Sequence, residues 1–269
     1  MRGIFFLAEK MIANFQILGR TFSAYLICAL IGMFAAGGLA LYFAKKKALE
    51  TLDLLVTLLW AALGAFLGSH LLYGLVNYKY IILFFNQMPQ IVSEGKVWEY
   101  LTAIFGGSVF YGGMLGGLLA GLLYAYKEKL PKEEYFDIAA FTIPFFHVFG
   151  RIGCFLSGCC YGIECFWGVT FHHSVIESAN GVKRLPVQLI EAAGNLLLFV
   201  VILFLFQRGK ERGRLIYVYL VSYGILRFVL EFFRGDTYRG IWLGLSTSQI
   251  ISIITIITST TILILRRKR

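Results

Sequence analysis

Arg214-Leu215-Ile216-Tyr217-Val218-Tyr219-Leu220-Val221-Ser222-Tyr223-Gly224-Ile225-Leu226-Arg227-Phe228-Val229-Leu230-Glu231-Phe232-Phe233-Arg234 is apolar enough to enter a bilayer, yet it carries charge. Tyr223, Arg227, Glu231 and Arg234 follow at spacings of four, four and three, so they share one face of a helix. Polar groups inside a span are costly and mark function by default. The basic run Arg208, Lys210, Arg212 and Arg214 stands at the start of the segment. If that run is the cytoplasmic entry, Arg227 lies about 13 residues further on, roughly 20 Å up at 1.5 Å per residue. That depth is the outer half of the bilayer, and Glu231 can pair with Arg227 one turn on.

The whole chain supports a membrane setting. Its 269 residues are 58% hydrophobic, and its mean hydropathy is +0.74. The class is an all-α integral membrane protein. With 29 Gly against 4 Pro, close helix packing is expected rather than disorder. The net charge of +10 does not point to nucleic acid, because the basic residues form short clusters between apolar runs. Met1 to Phe15 carries Glu9 and Lys10 inside its apolar run, and it reads as an interfacial amphipathic helix rather than a cleaved signal peptide.

Seven segments are long enough to span, roughly 20–44, 51–76, 107–126, 134–151, 187–207, 214–234 and 243–265. Four clusters would share one side: Lys45-Lys46-Lys47, then Lys127, Lys129 and Lys132, then the run at 208–214, then Arg266-Arg267-Lys268-Arg269. Basic residues in short connections mark the cytoplasmic side, so the N-terminus is expected outside and the C-terminus inside. Residues 1–269 then form a single polytopic domain. The outer side carries the longer connections, about 77–106 and 152–186, and a small extracytoplasmic cap.

The other intramembrane polar groups collect at the same outer level. Arg151 ends segment four, Tyr111 lies just inside segment three, and Gln188 and Glu191 open segment five. Ser246, Ser248 and Gln249 open segment seven, Arg20 begins segment one, and His70 lies near the outer end of segment two. The inner halves are nearly pure hydrocarbon. A polar chamber at the outer headgroup level is expected, and guanidinium forks there suit a lipid phosphate. Each residue also has a structural reading. Arg151 could snorkel to the interface, Arg227 and Glu231 could be a plain ion pair, Glu191 could serve only as a helix-terminal partner, and the tyrosines could be interfacial packing.

Segment three repeats glycine at every fourth residue, as Gly112 and Gly116, and as Gly113, Gly117 and Gly121, which lets another helix approach closely. Cys154, Cys159, Cys160 and Cys165 run as C-x4-C-C-x4-C. That is not a zinc-ribbon spacing and contains no CxxC, so no metal is expected. The cysteines could be small packing residues, a disulfide or a reactive thiol. Cys28, in mid-span, reads as packing.

Several ordered motifs resemble one family, the bacterial prolipoprotein diacylglyceryl transferases. Gly150-Arg151-Ile152-Gly153-Cys154-Phe155 resembles its GRxxNF signature. Leu185-Pro186-Val187-Gln188-Leu189-Ile190-Glu191 resembles HPxQLYE, and Arg227 to Arg234 resembles RFxxExxR. Leu245 to Ser252 resembles LSxGQxLS, and Phe110-Tyr111-Gly112-Gly113 sits where the family has FHGG. The resemblance implies transfer of a diacylglyceryl group from phosphatidylglycerol to the lipobox cysteine of a prolipoprotein signal peptide. It implies a multi-pass protein of the bacterial cytoplasmic membrane that needs no cofactor. Arg151 and Arg227 would hold the phosphate, Glu231 would orient Arg227, and Gln188 and Glu191 would shape the site. Arg20, Arg234, Ser246, Gln249, Cys154 and Cys159 would line it. The departures are Tyr111 for the family histidine, Cys154 for the signature asparagine, Cys159 for a glutamate and Phe22 for a tyrosine. A neutral tyrosine is a hydrogen-bond donor and a poor base. The same donor lipid with another acceptor, a lipid transporter, and a thiol–disulfide protein using Cys159 and Cys160 are the alternatives.

Overall fold

The computed structural model describes residues 14–17, 20–107, 109–209, 213–236, 241–242 and 244–267. Its elements in chain order are β1 (Asn14–Ile17), β2 (Arg20–Ser23), α1 (Ala24–Lys46), α2 (Thr51–Val76), α3 (Tyr78–Asn86), α4 (Met88–Ser93), α5 (Val97–Phe105) and α6 (Phe110–Lys127). Then follow α7 (Lys132–Ser157), β3 (Glu164–Thr170), β4 (Lys183–Arg184), α8 (Val187–Arg208), α9 (Leu215–Glu231), β5 (Ile241–Trp242), β6 (Leu245–Ser246) and α10 (Thr247–Arg267). Each expected segment holds a helix. Five of these, α1, α2, α7, α8 and α10, are long and apolar enough to cross a membrane. They leave large apolar side chains uncovered, such as Phe34 on α1, Leu75 on α2, Leu197 on α8 and Ile257 on α10. Uncovered apolar faces on several long helices suit hydrocarbon rather than water, and the chain is a multi-pass membrane protein.

Some segment ends differ from expectation. Arg20 lies in β2 rather than at a helix start, and β2 pairs antiparallel with β1, Phe15 opposite Phe22. Asn14 and Phe15, expected in an interfacial helix, are therefore strand, while residues 1–13 of that expected helix lie outside the described residues. Ser23 then caps α1, its Oγ accepting from the Leu26 N–H at 3.1 Å. The last helix also starts late, because residues 245–246 pair with 241–242 in a small hairpin. The connection at 77–106 is folded into the short helices α3, α4 and α5.

Residues 44–132 pack as one compact unit. Its axis is the contact of α2 with α6 through glycine. A Cβ added to Gly68 would fall on the carbonyl oxygen of Gly112, and one on Gly64 would fall on that of Gly116. The α6 stripe was legible, and its partner stripe Gly64-xxx-Gly68 is on α2. His70 is a clamp here, its Nδ1 sharing a hydrogen bond of 2.7 Å with the Phe105 carbonyl at the end of α5. Gly68→Ala is expected to cost about 1–3 kcal/mol by overpacking, read as a lower unfolding midpoint in detergent. Gly37→Ala, with nothing within 4 Å of the added Cβ, is expected to leave the midpoint unchanged.

Residues 1–43 with 133–269 pack as a second unit. Here α7 runs on to Ser157, six residues past the expected end at 151. Gly153 permits this, since its side-chain position lies 3.1 Å from the Tyr25 Cα and the Cys28 Cβ of α1. At the other end of α7, Phe141 meets Phe43 and Phe206 at ring distances of 5.2 and 5.0 Å. Asp137, a charged residue inside α7, is 3% exposed. Its carboxylate accepts from the Gly213 N–H at 2.6 Å and the Leu215 N–H at 3.1 Å. It thus satisfies orphan donors at the start of α9, where the helix dipole also favours an anion.

Candidate active site

Four elements of the second unit build the polar cluster, and one residue ties them together. Glu191, in the second turn of α8, is 1% exposed. Its Oε1 lies 2.9 Å from Arg151 Nη2 on α7 and accepts from Tyr223 OH on α9 at 3.1 Å. Its Oε2 accepts from Arg227 Nη1, also on α9, at 3.3 Å. Arg227 continues the chain, with Nη2 at 2.9 Å from Glu231 Oε2 and 3.2 Å from Ser248 Oγ on α10. Beyond the end of α9, Arg234 Nε donates to Asp236 Oδ1 at 3.0 Å, and its Nη1 lies 4.0 Å from Glu231. Three guanidiniums and three carboxylates alternate at the end of the unit opposite the Asp137 cap.

Local sequence explains each placement. Arg151 stands one turn from Cys154 and one turn from His147, so all three share a face of α7. His147 Nδ1 shares a hydrogen bond of 3.3 Å with Tyr219 OH, and its ring packs 5.2 Å from that of Tyr223. The i, i+4 pairing of Arg227 with Glu231 is as expected. Glu191 does more than expected, since it holds both arginines. Asn195, one turn on, donates to the Glu191 carbonyl at 2.9 Å.

Other expected site residues make bonds within the protein. Ser246 and Gln249 form a reciprocal cap on α10. The Ser246 N–H donates to Gln249 Oε1 at 2.9 Å, and the Gln249 N–H donates to Ser246 Oγ at 3.2 Å. The S-x-x-Q spacing before an apolar run is the sequence mark of this capping box. Ser248, between Ser246 and Gln249 in sequence, accepts from Arg227. Gln188 donates to the Cys159 carbonyl at 2.7 Å and so ties α8 to the turn after α7. Tyr111 is in the first turn of α6 and Arg20 is in β2; their side chains lie outside the described residues.

The turn after α7 is stitched on both sides. The Gly162 N–H donates to the Leu185 carbonyl at 3.0 Å, and the Gly235 N–H donates to the Tyr161 carbonyl at 3.0 Å. Three backbones meet here, and a Cβ on Gly162 would run into the Leu185 carbonyl. Gly158 and Cys160 both take positive φ, 73° and 57°. This tight path brings the sulfurs of Cys154, Cys159 and Cys160 within 4.8 Å of one another. The Cys159 thiol donates to the Cys154 carbonyl at 3.6 Å. The described cysteines are free thiols.

A family model described as prolipoprotein diacylglyceryl transferase matches residues 13–265. The chain belongs to that family. The phosphatidylglycerol–prolipoprotein diacylglyceryl transferase of Clostridium tetani is 31% identical over 245 residues, covering 90% of this chain and 92% of the relative. The enzyme of the same name from Campylobacter curvus is 34% identical over 247 residues, covering 89% and 88%. That of Helicobacter pylori J99 is 32% identical over 232 residues, covering 83% and 80%.

For a diacylglyceryl transferase the cluster has a suitable form. It offers preoriented guanidiniums at a buried carboxylate, and charge that develops on a leaving phosphate is stabilised by donors already in place. His147, Tyr219 and Asn195 were not among the expected site residues. The signal for His147 was its i, i+4 relation to Arg151, visible in the sequence.

Proposed function

We propose that this protein transfers the diacylglyceryl group of phosphatidylglycerol to the lipobox cysteine thiol of a prolipoprotein in the bacterial cytoplasmic membrane. Seven spans form one polytopic domain, with the N-terminus outside and the C-terminus in the cytoplasm, and the lipid enters sideways from the outer leaflet. The observation that carries the reading is the Arg151–Glu191–Arg227 bridge within a chain that matches the family over nearly its whole length. Arg151 and Arg227 hold the phosphate diester. The acceptor sulfur attacks the terminal glyceryl carbon, the carbon–oxygen bond to phosphate breaks, and glycerol phosphate leaves with the electron pair. A thioether and one proton are the other products. Arg234 and Ser248 support the arginines, and Glu231 orients Arg227.

The test is rescue of a strain depleted of its own transferase, read by the mass of a lipoprotein. Gain of one diacylglyceryl group on the lipobox cysteine is expected. Turnover of labelled phosphatidylglycerol with no gain in lipoprotein mass would instead point to another acceptor. The substitutions Tyr111, Cys154 and Cys159 leave that reading standing as the second one.

A further inference from the structure

The acceptor thiol must lose a proton, since the thiolate is the nucleophile. The described part of the site offers no side chain in an evident position to take it. Glu191 and Glu231 are engaged by guanidiniums, and His147 is turned to Tyr219. Tyr223 donates to Glu191. Beside these groups stand the free thiols of Cys154, Cys159 and Cys160.

The arrangement of those thiols is specific. Zinc binds thiolate at about 2.3 Å in a tetrahedron, which sets its sulfurs about 3.8 Å apart. The sulfurs of Cys154, Cys159 and Cys160 lie within 4.8 Å of one another, so a closure of about 1 Å or less would complete the set, within reach of small side-chain rotations. Linear spacing concealed this, because the triad depends on the turn. Cys160 sits at φ 57°, a conformation that L side chains other than Asn and Asp rarely adopt and that survives only when its surroundings impose it. The surroundings are the backbone stitches from Gly162 to Leu185 and from Gly235 to Tyr161, and the Gln188 bond to the Cys159 carbonyl. Three thiolates with Zn2+ carry a net −1, and Arg151 stands one turn from Cys154 on α7. A fourth thiol, Cys165, lies in β3 outside the triad.

We propose that Cys154, Cys159 and Cys160 form a three-thiolate Zn2+ site whose open fourth position takes the acceptor cysteine as thiolate. Three protein ligands with one open position is the pattern of catalytic rather than structural zinc, and a coordinated thiol is deprotonated outright. The proposal rests on the transferase reading for the identity of the acceptor. The acceptor S–H gives its proton to water at the outer face as the sulfur binds the metal. The sulfur then forms its bond to the glyceryl carbon, and the carbon–oxygen bond to phosphate breaks. Its electron pair stays on the departing phosphate, which Arg151 and Arg227 hold. No oxidation or reduction occurs, and the weakly basic thioether leaves the metal.

The experiment uses full-length protein in detergent, kept reduced, stripped with a chelator and titrated with Co2+ and then Zn2+. One equivalent of Co2+ is expected, with thiolate charge-transfer and tetrahedral d–d bands that Zn2+ abolishes. Cys159→Ser and Cys160→Ser should lose the bands, and Cys165→Ser should keep them. Retained phosphatidylglycerol binding shows that the serine variants are folded, and protection of three thiols from alkylation by Zn2+ in the unmutated protein tests the site without mutation. A peptide carrying a lipobox cysteine should change the cobalt spectrum, and the same peptide with serine should not. Transfer should fall at least about 100-fold on chelation, the low end of what activating a nucleophile contributes, and recover with Zn2+. Failure of the reduced protein to bind Co2+, indifference of the spectrum to the thiol peptide, or a disulfide among the three cysteines in protein taken from membranes would each overturn the proposal. Full-rate transfer by metal-free protein would overturn it and leave the transferase reading intact. A thiol-responsive metal site in a protein that modifies no prolipoprotein would support the site and remove the prolipoprotein as its acceptor.

Discussion

Arg151→Ala is expected to lower diacylglyceryl transfer at least about 100-fold, the scale of removing one preorganised charge stabiliser, with little loss of fold. Its guanidinium is the most open of the three, its side chain 20% exposed against 12% for Arg227 and 7% for Arg234. Glu191 orients it through Nη2 at 2.9 Å, and a guanidinium carries five N–H donors in a fork that matches phosphate. Arg227→Ala should cost as much in transfer but should also weaken the protein. It removes a partner from two carboxylates that are each almost wholly buried, and breaking a buried pair costs about 3–5 kcal/mol. The pair of variants separates the two roles. Transfer from labelled phosphatidylglycerol measures the first effect, and the unfolding midpoint in detergent measures the second. A wild-type rate in either variant would contradict the phosphate role. Equal destabilisation by both would reduce Arg151 to a structural ion pair.

What could be read in the sequence and what could not divides along one physical line. Groups related by helix period were visible, because Tyr223, Arg227 and Glu231 meet their neighbours through one face of α9, while Arg234 falls beyond its end. Helix positions were visible as runs of apolar residues between basic clusters, and five of these helices are long and apolar enough to cross a membrane. Contacts made between helices were not. Nothing in the order of residues says that Glu191 reaches both Arg151 and Arg227, since that depends on how α7, α8 and α9 pack. Nor does it explain a carboxylate at Asp137 inside an apolar helix, since its partners, the backbone N–H groups of Gly213 and Leu215, lie more than seventy residues away. The cap made by Ser246 and Gln249 was legible in the S-x-x-Q spacing. The β1–β2 hairpin hid inside an apolar run, because hydropathy alone does not tell a strand from a helix. The cysteine triad was hidden most deeply. Two positive-φ residues, Gly158 and Cys160, shape the turn that brings together sulfurs whose spacing fits no familiar metal motif.

Glu191 is where the two kinds of information meet, and its replacement should have the most instructive effect. Glu191→Gln keeps the shape and one acceptor oxygen for Tyr223, but it removes the charge that sets two guanidiniums side by side. A carboxylate in that position has opposing consequences. It competes with the lipid phosphate for the same donors, so removing it should not raise KM and can lower it. It also holds Arg151 and Arg227 in register before the lipid arrives, so removing it should disorder them at the moment charge develops on the leaving oxygen. The expected result is therefore a fall in kcat of about 100-fold without a rise in KM, the pattern of an interaction that acts in the transition state rather than in binding. Glu191→Ala goes further, because it leaves Tyr223 and two arginines around a cavity. It should cost about 3–5 kcal/mol of stability, as removal of one partner from a buried pair does. A residue that merely neutralised a helix end would behave otherwise, since the glutamine variant would then keep a wild-type kcat and lose only a few tenths of a kcal/mol. Steady-state kinetics of the glutamine variant, with the alanine variant followed by thermal unfolding, decide between a bridge that orients two arginines and a charge that happens to lie between them.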